Sequence, residues 1–259
     1  MIDIQKAKQE LKKYVSNYDI QNNRIRVKIG HIERTATIAK EIAKNMKLSE
    51  EDIQLAELIG LLHDIGRFEQ VKRYNTFFDK DSVNHGELGV QILFEKDFIR
   101  DFIEDKQYDE VIKKSILNHN RNKENIETKN EKEILHSKII RDADKTDILY
   151  MLTFEDKETA WGSANIEKEK ISDEIYREFK EDKAIHYEKR KTAVDALVSH
   201  FAYVYDFEDE HSLQIVKDKG YFDKIYQRFE FEDKETQEKI HQIYEMVREC
   251  MEKNGEKSK

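Results

Sequence analysis

Six side chains of this sequence belong to the types that bind transition metals, and they fall in the order His31, His63 with Asp64, His85, His119 and Asp144. Imidazole nitrogens and carboxylate oxygens suit Mn, Fe, Co, Ni or Zn, with Mg less favoured. Their neighbours are apolar. His63 and Asp64 end the stretch GLLHDIGRF, and His119 continues the stripe of Val111, Ile112, Ser115 and Ile116. Asp144 follows Ile139 and Ile140 in IIRDADKTDIL, and His85 sits in VNHGELG. Such neighbours push polar groups toward a core, where an unpaired carboxylate is costly. One or two shared divalent ions satisfy all six at once. A single histidine on an apolar stripe is ordinarily a hydrogen-bonded core residue. The joint pattern, spread over five segments, points instead to a metal site.

The chemistry that such ions support is hydrolysis. Water on a divalent ion becomes acidic enough to supply hydroxide near neutral pH, and two ions about 3.5–4 Å apart also clamp a phosphoryl group. The charge that develops on phosphorus calls for cations. Arg67 lies three residues beyond Asp64, Lys145 adjoins Asp144, and Arg34 lies one turn from His31. Asp64, Arg67 and Lys145 are therefore the catalytic candidates. Arg34, Arg67 and Lys145 are candidates for substrate binding, together with Asp147, which is one turn past Asp144 and placed to orient a ligand. A solvated charge or a structural ion pair competes with each of these roles. Arg24, Arg26 and Lys28 read as a solvated helix face. His136, His186, His200, His211 and His241 match no position of the pattern and read as structural or exposed. Trp161 with Gly162 reads as a lid edge or as a loop packed on helices.

The order H…HD…H…H…D, with LLHDIGRF and RDADKTDIL, resembles the HD superfamily of metal-dependent phosphohydrolases. The resemblance covers residues 25–155. The later run TAVDALVSHFAYVYDFEDEHSLQIVKDKGYFDKI is similar to the C-terminal helices of stand-alone bacterial members. The resemblance implies a helical bundle in which His31, His63, Asp64 and Asp144 bind a first metal. His85 and His119 are similar to the extra ligands of the two-metal subset, in which Asp64 bridges. The glycine and tyrosine signature of the cyclic-di-GMP branch is missing. Some relatives with six ligands are di-iron oxygenases, and a nucleotide sensor without turnover is a third expectation.

The elements that must position these residues are helices. Proline is absent and glycine numbers eight, so helix breakers are scarce. Apolar spacing predicts helices over 3–18, 25–46, 49–65, 84–94, 97–104, 108–119, 132–154, 167–181, 186–206, 208–217, 219–229 and 233–253. Gly66 reads as a helix stop, 67–83 as a partly ordered connection, and 120–131 and 161–165 as polar connections. The expected fold class is all-α, a single domain over 1–259 with a core at 25–155 and a C-terminal extension at 156–259. The net charge of −9 disfavours long nucleic acid. A small phosphate ester such as a nucleotide remains the expected substrate, with a homodimer possible from the C-terminal helices. The polar N-terminus, the lone Cys250 and the lack of a long apolar run give the expectation of a cytoplasmic protein without a membrane span.

Overall fold

The computed structural model describes residues 2–121, 128–181 and 185–256, and helix is the only regular structure among them. Contacts divide the chain into Met1–Asp147 and Ile148–Lys259. The expected connection at 120–131 lies partly outside the described residues.

The first unit holds α1 (Ile4–Val15), α2 (Asn23–Asn45), α3 (Glu50–Leu62), α4 (Gly66–Tyr74), α5 (His85–Phe94), α6 (Ile99–Phe102), α7 (Asp109–Asn118) and most of α8 (Glu131–Phe154). Side-chain caps start four of them: Asp3, Asn22, Ser49 and Asn84 each accept from a backbone amide in the first turn. Their apolar stripes meet in one core built on Ile32, Leu58, Leu62, Ile65, Phe68, Phe102, Ile112 and Ile116. α2 and α3 pack closely because Gly60 has no side chain; a Cβ there would stand 2.5 Å from the Ala36 Cα. That approach brings the middle of α2 against the end of α3.

Gly66 does not stop a helix. It opens α4, so eight residues of the expected connection over 67–83 are helical. The reason is packing. A Cβ on Gly66 would overlap the His85 carbonyl oxygen and lie 2.7 Å from the Gly89 nitrogen, so only glycine lets α4 start against α5. A short 3₁₀ turn at Asp79–Asp81 completes the return to α5.

The second unit has its own core of Trp161, Ile175, Phe179, Val194, Leu197, Phe201, Phe222 and Ile243. It carries the end of α8, then α9 (Lys157–Trp161), α10 (Asp173–Glu181), α11 (Ala193–Phe201), α12 (Tyr203–Asp206), α13 (Glu210–Lys219), α14 (Tyr221–Tyr226) and α15 (Lys234–Glu256). The helix expected over 186–206 is interrupted. Residues 187–189 form a 3₁₀ turn, and Thr192 with Asp195 makes a capping box that restarts the chain as α11. The helix expected from 167 begins at Asp173, after a 3₁₀ turn at Ile166–Lys168. Trp161 closes α9 and is buried, with Gly162 as its left-handed cap. No helix among the described residues is long and apolar enough to cross a membrane.

Candidate metal centre

The site forms in the first unit, where five chain segments deliver side chains to one point. His31 comes from the middle of α2, and His63 is the C-cap of α3 with Asp64 next to it. His85 opens α5, His119 is the C-cap of α7, and Asp144 comes from α8. His31, His63, Asp64, His85 and His119 are buried, while Asp144 is slightly open.

Asp64 stands between two pairs of imidazoles. Its Oδ2 is 3.5 Å from His31 Nε2 and 3.6 Å from His63 Nε2. Its Oδ1 is 3.3 Å from His85 Nε2 and 3.6 Å from His119 Nε2. Asp144 joins the first pair, with Oδ1 3.1 Å from His31 Nε2 and 3.7 Å from His63 Nε2.

Each ring is turned by a partner on its other nitrogen. His63 Nδ1 donates to the Gly60 carbonyl at 2.8 Å, and His119 Nδ1 donates to the Ile116 carbonyl at 2.6 Å. Both reach back three residues to a carbonyl at the end of their own helix. His31 Nδ1 donates to Asp147 at 2.7 Å, and Arg34 grips that carboxylate at 2.6 and 3.0 Å. His85 Nδ1 donates to Asp79 at 2.7 Å, and Arg67 and Gln70 hold the other Asp79 oxygen at 3.0 and 2.9 Å. The two halves thus repeat one plan: a histidine anchored on its own helix end beside a histidine anchored on an Asp–Arg pair.

This donor set fits divalent ions. A carbonyl only accepts, so the Nδ1 protons of His63 and His119 are fixed. In a neutral ring, Nε2 is then a bare lone pair facing its neighbours. The Nε2 atoms of His85 and His119 are 2.9 Å apart, and those of His31 and His63 are 3.3 Å apart. Lone pairs so close need a positive charge between them, a proton or a metal ion. Two donors about 2.1 Å from one ion and roughly 90–110° apart lie about 3.0–3.4 Å from each other. Asp64 Oδ1 is moreover buried without a hydrogen-bond partner among the described residues.

Charge tells the same story. Burial works against ionisation of Asp64 and Asp144, yet the surrounding positive and imidazole groups hold both well below the usual carboxylate range. Burial and Lys28 oppose a charge on His31, but Asp144, Asp147 and Asp64 outweigh them and lift it to about 10. In the chain alone, a proton on His31 answers the carboxylates; a bound ion takes over that task. Burial lowers His63, and burial with Arg67 pushes His85 down to about 3, which leaves these rings neutral as ligands must be.

Of the candidate cations, Arg67 places Nε 3.6 Å from Asp64 Oδ1 and spends Nη1 on Gln70, Asp79 and the Phe77 carbonyl. Lys145 is buried on α8. Arg34 and Asp147 sit behind His31 and fix its ring. Two residues carry more than their sequence context suggests. Lys28, read as a solvated position, puts Nζ 2.7 Å from Asp64 Oδ2 and over the Phe77 ring. Its signal was its place one turn before His31. Asp79 was hidden in the segment read as a connection, and nothing in its spacing marks it. Arg24 and Arg26 bind Asn75 and Asn23 instead.

A helical domain with a buried His–Asp cluster arranged around one shared carboxylate defines a metal-binding class of protein. Residues 29–149 match the family model of the HD domain, and the whole His–Asp cluster lies within that stretch. HD domains bind divalent metals, and their superfamily consists mostly of metal-dependent phosphohydrolases. Neither a curated protein nor a solved structure gives a significant match to this chain.

Proposed function

We propose that this centre hydrolyses a phosphate ester of a small molecule, a nucleotide or similar compound being the preferred substrate, with one or two ions of Mn, Fe, Co, Ni or Zn. The observation that carries the reading is Asp64, which offers one oxygen to His31 and His63 and the other to His85 and His119. Bound there, divalent ions acidify a water and draw off phosphoryl charge.

The chain's own groups supply the rest. His31, His63, Asp64 and Asp144 would hold one ion, and Asp64, His85 and His119 a second. Lys28 and Arg67 approach opposite oxygens of Asp64, so a phosphoryl group above that carboxylate meets a cation on either side. Arg67 offers its Nε, which is buried without a hydrogen-bond partner. Lys145, buried on α8 next to Asp144 in sequence, is the further candidate for a positive charge toward the phosphoryl group. Asp147 and Asp79 keep the rings aimed and so preserve the spacing on which the reaction depends.

The test is a screen of phosphomonoesters, phosphodiesters and nucleotides with each metal, beside Asp64→Ala. Turnover in the native chain and its loss, by at least a thousandfold, in a folded variant is the expected result. Retained activity removes Asp64 from the reaction. Iron-dependent consumption of dioxygen without ester hydrolysis replaces the reading by that of an oxygenase.

A further inference from the structure

The segment between α4 and α5 brings an aromatic ring to the cations of the metal centre. Lys28 Nζ stands 5.3 Å from the centroid of the Phe77 ring, and Arg67 Cζ stands 5.5 Å from it. Both lie within the roughly 6 Å over which a ring face attracts a cation. The same two side chains approach opposite oxygens of Asp64, with Lys28 Nζ 2.7 Å from Oδ2 and Arg67 Nε 3.6 Å from Oδ1. Phe77 and Asp64 therefore share one pair of cations.

The backbone holds Phe77 in that place. Its carbonyl accepts from Arg67 Nη1 at 2.6 Å. Two residues earlier, Asn75 ends α4 in a left-handed conformation, and its Oδ1 accepts from Arg24 Nη1 at 2.9 Å. One residue later, the Phe78 amide donates to the Thr76 hydroxyl at 3.0 Å, and the Phe78 carbonyl accepts from the Asp81 amide at 3.1 Å. Arg24 and Lys28 are four residues apart on α2, so one face of that helix supplies both an anchor for the segment and a cation for its ring.

Burial alone does not ask for an aromatic residue here. Phe77 is half-buried against the core of the first unit, a place that an aliphatic side chain would also fill. What differs is the ring face. Lys28 and Arg67 carry like charge and converge on one carboxylate, so they repel each other. A second carboxylate beside them would neutralise them and occupy their N–H groups. A ring face offers negative potential without a lone pair, so it steadies both cations and leaves their donors free.

We infer, on the hydrolase reading of the centre, that Phe77 is a positioning residue: its ring and carbonyl hold Lys28 and Arg67 at the spacing at which both meet one phosphoryl group. Phe77 acts through the two cations and not on the phosphoryl group itself.

The probe is inorganic phosphate, titrated by calorimetry into the Mn-loaded full chain. Phe77→Leu weakens phosphate binding about tenfold, while metal content and circular dichroism stay those of the native chain. A fluorinated phenylalanine at position 77 keeps the shape of the ring and removes the negative potential of its face. It too weakens binding, which a role in packing alone would not produce. Phe77→Tyr keeps the ring face and holds the affinity within about twofold. In a Lys28→Met background the loss caused by Phe77→Leu shrinks, because one of the two cations that the ring holds is gone. Native affinity in the fluorinated chain or in folded Phe77→Leu overturns this role, and so does a Phe77→Leu chain that loses metal in step with phosphate. A native chain that takes up Mn and binds no phosphate fails the hydrolase reading itself, and the role of Phe77 falls with it.

Discussion

Replacing Asp79 by asparagine alters a single group yet reverses a hydrogen bond. In the native chain the carboxylate accepts from His85 Nδ1 at 2.7 Å, which leaves Nε2 as a lone pair pointing at Asp64 Oδ1 and His119. An asparagine amide nitrogen in that place donates to Nδ1, moves the ring proton to Nε2 and turns a donor of electrons into an N–H aimed at the ion. A hydrogen bond to a charged group contributes about 1.5–3 kcal/mol. At about 1.4 kcal/mol per decade this is roughly a 10–100-fold loss of metal affinity. Arg67 keeps an acceptor in the amide oxygen but loses the charge of its 3.0 Å partner, so a lower melting temperature accompanies the loss. The assay is a competition titration of Co or Mn against a chelator. The expected outcome is that the site of His85 and His119 weakens while that of His31, His63 and Asp144 keeps its affinity. Equal weakening of all bound metal, or none in a folded variant, would refute the orienting role given to Asp79.

Other outcomes follow from the packing and the charges. Gly66→Ala forces a methyl into the His85 carbonyl and the Gly89 backbone, where neither can yield as a flexible side chain would. It costs about 1–3 kcal/mol or more in chemical denaturation and reduces metal content with it; a variant as stable as the native chain would show that α4 and α5 can separate freely. The cluster of Asp52, His136 and Lys132 makes the first unit sensitive to acid. Burial acts to raise Asp52, but Ser49, His136 and Lys132 outweigh it and hold the carboxyl at about 2. Its share of stability, about 2 kcal/mol, is complete above its unfolded value near 4 and disappears as pH falls through about 2. Burial keeps His136 below its ordinary value despite Asp52, so stability also declines once pH drops below about 6.5, where the unfolded histidine takes up a proton. Urea unfolding between pH 7 and 3 should show a shallower decline above pH 5 in His136→Gln; identical slopes would separate this histidine from the acid response.

Much of the centre was legible before any coordinates, because buried polar residues contradict their apolar surroundings. His63 and Asp64 stand out at the end of the most apolar helix, and Asp144 stands out one turn past Ile139 and Ile140. The helices were legible for the same reason, since amphipathic spacing and caps such as Ser49 and Asn84 are local. What escaped was non-local. Gly66 looks like a stop until α5 is known to press against it, and Asp79 has no role until α4 folds back toward His85. Lys28 shares its sequence context with Arg24 and Arg26, and only the packing of α2 on α3 turns it toward Asp64 while the other two face asparagines. The 186–206 stretch kept a helical pattern through a turn that Thr192 and Asp195 reset.

The two halves of the centre follow one plan but are not equally furnished. The half around His31 and His63 has Asp144 to itself. The half around His85 and His119 has no carboxylate of its own and depends on its share of Asp64. Two ions bound there would therefore differ in their hold, and the ion of the poorer half would be the first to leave when metal is scarce.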